Sequence, residues 1–222
     1  MRRYTYDAKN YPLSEIALGS IQKHYPDVQD LSLLHEYVPA KKIGELAKII
    51  GKDLADTNFY EIFDKLLNDY VSLGEILVQR FGNIRINIPN QDKDGTVLPF
   101  HQGQWVGNGL GLRTVWLPFT DAYDSNSLQI VNLMDSREIT DACKEWDYPR
   151  LQEECQKSCE PVNIKKGQFI LFTQEHIHGA APNRTGKTRM SIDVRLLLKG
   201  GQPHRKWPGA YFTKLGLTLI HI

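Results

Sequence analysis

The chain reads as a mainly β protein, an antiparallel sandwich or barrel, with α-helices ahead of it. Three observations predict this. Apolar residues in the first third recur at helical intervals, whereas beyond about residue 82 the alternation changes to a period of two. The alternating segments are short and are broken by Gly, Pro, Asn and Asp. They also follow one another without helices between them, which argues against βαβ winding.

Taken in order, Leu13 to Tyr25 carries an uneven helical pattern that Pro26 ends. A longer helix is predicted from Asn58 to Arg80. Phe59, Ile62, Phe63, Leu66, Tyr70, Leu73 and Leu77 make one stripe, with Asn58 and Glu61 in capping-box positions. Strands are predicted at RINIP (85–89), TVWLPF (114–119), SLQIV (127–131), VNIKKGQFILF (162–172) and MSIDVRLLL (190–198). The polar, helix-prone residues 135–160 interrupt the series and read as an insertion able to form the rim or lid of a pocket. The organisation expected is one domain over 1–222: a helical part, 1–82, packed on a β core, 83–198, with the insertion 135–160 and a tail, 199–222.

With 27 Lys+Arg against 26 Asp+Glu, the chain has no basic block or stripe to attract nucleic acid or an anionic membrane. No apolar run is long enough to span a bilayer, and the start, MRRYTYDAKNYP, has no apolar stretch of the kind a secretory leader needs. A cytoplasmic protein is expected. Cys143, Cys155 and Cys159 cannot all pair. Cys155 and Cys159 would share a helix face, but no further Cys or His lies nearby at ligand spacing. In the tail, Arg205, Lys206 and Trp207 could meet an acidic or ring-bearing substrate group, or pack on a second subunit of a homodimer.

Of seven histidines, His24, His35, His204 and His221 lie in helical or terminal polar settings and suit surface or capping roles. His101 ends the apolar LPF, and His178 follows the strand GQFILF, so two imidazoles could converge at one mouth of a small barrel as metal ligands. His176 would share a face with His178 and serve as a supporting or substrate group. Arg189 comes eleven residues after His178, and Ser191 follows on the same strand face. A guanidinium with a hydroxyl beside it receives a carboxylate well, because the fork offers two parallel charge-assisted bonds and the hydroxyl a third. The plainer alternative pairs Arg189 with Asp193 or another acid.

HQGQW, WLPFTD, NSLQIV, GQFILF and HGAAPN, with Arg189 and Ser191 behind them, resemble the Fe(II)/2-oxoglutarate-dependent oxygenases over roughly residues 60–198. The likeness is to the phytanoyl-CoA dioxygenase-like branch and its small bacterial relatives found with sugar and natural-product biosynthesis. The resemblance implies a double-stranded β-helix, the cupin-like jelly roll, and an enzyme using Fe(II), 2-oxoglutarate and O2 on a small-molecule substrate. It assigns His101 and His178 to the metal, and Arg189 and Ser191 to the far carboxylate of 2-oxoglutarate. Trp116 matches an aromatic residue of the cosubstrate pocket, or packs in the core, and Asn183 matches a polar residue of the turn after the second histidine.

The family's metal-binding acid should fall at position 103, where this chain has Gly103. The gap could take chloride, as in the halogenases of this superfamily, whose His-x-Gly or His-x-Ala pattern resembles His101-Gln102-Gly103. It could instead take water or a neighbouring side chain, and a bulge could swing Gln104 inward, while Glu175, Asp121 and Asp124 are more distant replacements. Alternatively the pocket could have lost iron and serve as a binding module. A cupin-like isomerase or epimerase with His176 or Glu175 as general base is a further possibility.

Overall fold

The computed structural model describes residues 1–90, 98–109, 111–203 and 211–214. The strands are β1 (Arg2–Thr5), β2 (Ile76–Gln79), β3 (Asn83–Asn87), β4 (His101–Gln102), β5 (Leu112–Pro118), β6 (Leu128–Val131), β7 (Cys159–Pro161), β8 (Gln168–Thr173), β9 (Ile177–Ala180), β10 (Arg189–Leu198) and β11 (Phe212–Lys214). The α-helices are α1 (Leu13–Gln22), α2 (Leu34–Tyr37), α3 (Ile43–Asp53), α4 (Phe59–Tyr70), α5 (Leu133–Ala142) and α6 (Tyr148–Ser158). One sheet runs β1-β8-β5-β10-β2-β11, with β3 also paired to β10, and the other runs β4-β9-β6-β7. Every ladder between these strands is antiparallel. Trp116, Ile170 and Phe172 of the large sheet meet Leu128 and Ile130 of the small one, so the two sheets close face to face as a jelly roll.

The period of two sorts each strand of the large sheet between two environments. Met190, Ile192, Val194 and Leu196 of β10, with Val115 and Leu117 of β5 and Phe169 and Leu171 of β8, face the N-terminal helices. From α3 and α4 that layer receives Ile43, Leu46, Ile50, Phe59, Phe63, Leu66 and Leu67. Phe59 stacks on Phe63 and meets Phe119 edge-on, with centroids 6.2 and 5.9 Å apart. The intervening residues of the same strands face the lumen between the sheets.

The helical reading of 1–82 overreached at both ends. Residues 2–5 form an edge strand on β8. Helix α4 stops at Tyr70 instead of reaching Arg80: Val71 is already extended, Gly74 turns with φ +69°, and Ile76–Gln79 pairs with β10 and β11. Leu77 fitted both periods, and its pairing with Leu197 of β10 decided between them. Asn58 makes no side-chain cap bond; the Thr57 hydroxyl accepts from the Phe59 amide at 3.2 Å instead. Within 162–172 only Gln168–Thr173 is a strand, because Gly167, at φ +88°, turns the chain just before it.

Residues 135–160 run through α5, a 3-10 turn at Cys143–Glu145, α6 and the start of β7. Asn132 and Asp147 cap the two helices, accepting from the amides of Asp135 and Arg150 at 3.0 and 2.9 Å. Ile139 and Cys155 pack with Phe100, Val131 and Ile177. The insertion therefore covers the outer face of the small sheet, and none of its residues lines the lumen. His24 bonds Asp53 and His35 bonds Thr188. His204, Arg205, Lys206, Trp207 and His221 lie outside the described residues. Among the described residues no helix is long and apolar enough to cross a membrane.

Two outcomes check this packing. Phe59→Ala should destabilise the fold by about 3–5 kcal/mol in urea unfolding, because the helix layer loses a fully buried ring. All three thiols are free, and burial pushes that of Cys155 up to about 11. An alkylating reagent followed by peptide mass spectrometry should modify Cys143 in the native protein and Cys155 only after denaturation.

Candidate functional site

Strand β4 is two residues long, yet its register sets the site. His101 stands directly opposite His178 of β9, with ring centroids 4.4 Å apart. Each ring is oriented by a backbone carbonyl: Nδ1 of His101 donates to Pro99 at 2.9 Å, and Nδ1 of His178 donates to His176 at 3.0 Å. A carbonyl only accepts, so the proton of each neutral ring sits on Nδ1 and the Nε2 lone pairs are left available. Burial lowers the pKa of both rings, and that of His178, with His101 beside it, falls to about 3. Both imidazoles are thus neutral near pH 7, the form that ligates metals. Gly179 permits the closeness of this corner, since a Cβ there would lie 3.0 Å from the Phe100 backbone and 3.1 Å from the Leu98 carbonyl.

The large sheet delivers the opposite wall of a cavity of about 270 Å³. Arg189, only 4% exposed, donates through Nε to the Asn126 carbonyl at 3.0 Å and through Nη1 to Ser191 Oγ at 3.0 Å. Among the described residues no carboxylate pairs with it: Asp193, the acid offered by the plainer reading, instead holds Arg85 at 3.0 Å. Burial lowers the Arg189 guanidinium to about 10, against the pull of Asp193, so it remains a cation at neutral pH. Ser191 Oγ also accepts from Trp116 Nε1 at 3.0 Å. Having accepted twice, that hydroxyl has its own proton left to donate. Trp116 accordingly does both things expected of it, packing in the core and lining the cavity.

Other expected residues stand elsewhere. Asn183 is not on the cavity wall. Its amide donates to the carbonyls of Asn87 and Lys187, and its oxygen accepts from Thr185, so it shapes the turn before β10. His176 bonds Thr173 at 2.8 Å, and Glu175 pairs with Arg137 at 2.8 Å. Neither lines the cavity, which leaves the isomerase reading without its base. Asp121, Asp124 and Gln104 are likewise off the wall.

The position opened by Gly103 is filled. A Cβ there would fall on Oε1 of Gln174 and lie 2.8 Å from its Cδ and 3.1 Å from its Cβ. With Gln174 in this position its amide, and not an open space, stands beside Gly103. Sequence reading missed Gln174, although it lies two residues beyond Phe172 on the same lumen-facing side. It also missed Arg195, whose Nη1 donates to Tyr211 Oη at 2.6 Å and which has no acidic partner among the described residues. That residue was legible by parity, as the fourth member of the series Arg189, Ser191, Asp193, Arg195.

A divalent cation fits this chemistry in part. Two neutral imidazoles present free lone pairs across a cavity, but among the described residues no third His, Cys, Asp or Glu joins them. The cavity holds unbalanced cations in Arg189 and Arg195, so an anionic guest is electrostatically required more than a bare metal ion.

The family model described as Phytanoyl-CoA dioxygenase (PhyH) matches residues 50–191, more than half of the chain, including both histidines and Arg189. No curated protein matches it. Among solved structures the chain is similar to "Non-heme monooxygenase, ThoJ-Ni complex" at 15% identity and a TM-score of 0.50, covering 98% of this chain and 82% of that one. It is also similar to AviO1 from Streptomyces viridochromogenes Tue57 at 12% identity and a TM-score of 0.52, covering 90% of this chain and 89% of that one. Identities this low speak for the fold alone, whereas the family match spans the site-bearing strands. The chain belongs to the phytanoyl-CoA dioxygenase (PhyH) family.

Proposed function

We propose that the protein is a non-haem iron- and 2-oxoglutarate-dependent oxygenase that hydroxylates a small polar metabolite, a sugar or natural-product intermediate. The observation that carries this reading is the pairing of His101 and His178 on one wall of a cavity whose far wall holds a buried Arg189 without a carboxylate partner among the described residues. When bound, iron and 2-oxoglutarate would activate O2, the oxidant, with one oxygen atom going to the substrate and the other to succinate as 2-oxoglutarate loses carbon dioxide.

His101 and His178 would hold the metal through Nε2, and the carbonyls of Pro99 and His176 keep the rings turned for it. Arg189 binds the far carboxylate of 2-oxoglutarate with its free N–H groups, and the Ser191 proton adds a bond. Trp116 holds Ser191 in place and presents an apolar surface to the carbon chain of the guest. Phe172, 4.9 Å from the His178 ring, keeps water from one side of the imidazoles.

Protein loaded with Fe(II) and 2-oxoglutarate without oxygen should show a weak visible charge-transfer band, and should form succinate once air is admitted. Binding of 2-oxoglutarate with neither band nor succinate would mark a binding module instead. Arg189→Gln should weaken 2-oxoglutarate binding in calorimetry roughly ten- to hundredfold, the equivalent of a charge-assisted bond worth about 1.5–3 kcal/mol. His101→Ala and His178→Ala should each abolish the band.

A further inference from the structure

We propose that the Gln174 carboxamide takes the place of the acid absent at position 103, its oxygen serving with His101 and His178 as the third protein donor to a divalent cation. This rests on the oxygenase reading above and says how that site works without its acid.

Three observations carry it. The first is steric: no side chain can stand at residue 103 while Gln174 keeps its position, because a Cβ there falls on the amide oxygen. The second is orientation. Gln174 Nε2 donates to Thr114 Oγ1 at 2.8 Å, which spends the donor end of the amide on β5 and leaves Oε1 facing Gly103. The third is access: Gln174 lines the cavity and, among the described residues, its Oε1 accepts no hydrogen bond, so the oxygen's lone pairs are open to the cavity. An amide oxygen placed in this way can accept a cation. Gly103 and Gln174 line the same cavity as both imidazoles. Amide oxygens are ordinary ligands of hard divalent cations.

The exchange changes the charge of the site. A carboxylate would cancel half of a divalent cation's charge, whereas two imidazoles and an amide cancel none, and Arg189 and Arg195 add positive charge to the same space. The cation is then taken up together with a chelating anion, and 2-oxoglutarate is of that kind. Metal and dicarboxylate binding become strongly coupled.

Mn(II) binding to the whole protein, followed by electron paramagnetic resonance without oxygen and with or without 2-oxoglutarate, tests this without turnover. In the wild type, 2-oxoglutarate should tighten Mn(II) binding at least about tenfold. Gln174→Leu should weaken the ternary complex by about tenfold or more, and Gln174→Glu should bind Mn(II) without 2-oxoglutarate and shrink the coupling. The double variant Gly103→Asp with Gln174→Gly, which returns the acid to its usual place, should behave like Gln174→Glu. Wild-type affinity in Gln174→Leu, or unchanged coupling in Gln174→Glu, overturns the proposal while leaving a metal site. No Mn(II) bound by the wild type, even with 2-oxoglutarate, overturns the metal reading itself. Should Gln174→Leu fail to fold, Gln174→Glu decides alone.

Discussion

The alternation of β10 is the constraint on which the rest of the structure depends. This ten-residue strand lies between β5 on one side and β2 and β3 on the other, and among the described residues no other strand pairs with three partners. Its even-numbered residues, Met190 to Leu196, are sealed under the helices and fix which way the strand faces. Slipping the strand by one residue would bury Arg189, Asp193 and Arg195 in that apolar layer, at a cost no local bond could offset. The polar face is therefore held in the lumen by apolar burial on its back. That is how a chain of this size keeps a guanidinium buried with no acidic partner among the described residues.

The small sheet is built differently. It is short, its β4 contributes two residues, and it gains rigidity from outside, where Ile139 of α5 and Cys155 of α6 pack against Val131 and Ile177. The Gln102 amide reaches the same cover, donating to Thr140 on α5 and to the Glu175 carbonyl. His101 points to the lumen while its neighbour ties the strand to the insertion. The helices of 135–160 thus support the site from behind, a role distinct from the pocket rim that their polarity suggested.

Electrostatically the lumen departs from neutrality. Arg85 and Asp193 cancel each other, and among the described residues no acid pairs with Arg189 or Arg195. A site organised in this way favours an anion. Its two histidines are held by neutral hydrogen bonds to carbonyls, which orient the imidazoles without adding the charge that a carboxylate partner would bring.

Much of this could be read in the chain itself. The change of period near residue 82, the histidines at strand ends and the two-residue spacing of Arg189 and Ser191 are local patterns, and they determined the fold class, the family and the pair of walls that make the site. What local pattern could not decide was any choice between partners. Leu77 suited a helix as well as a strand until β10 offered a pairing edge. Sequence left open a pairing of Arg189 with Asp193, and the β3–β10 register decided against it by setting Arg85 opposite Ser191, within reach of Asp193. Asn183 could serve a ligand or a turn until the carbonyls of Asn87 and Lys187 claimed its amide. Above all, the tertiary structure decided what stands at the gap left by Gly103. Gln174 lies 71 residues further along the chain. Only the closing of one sheet on the other brings its amide to that spot, and sequence spacing carries no information about distances across a barrel.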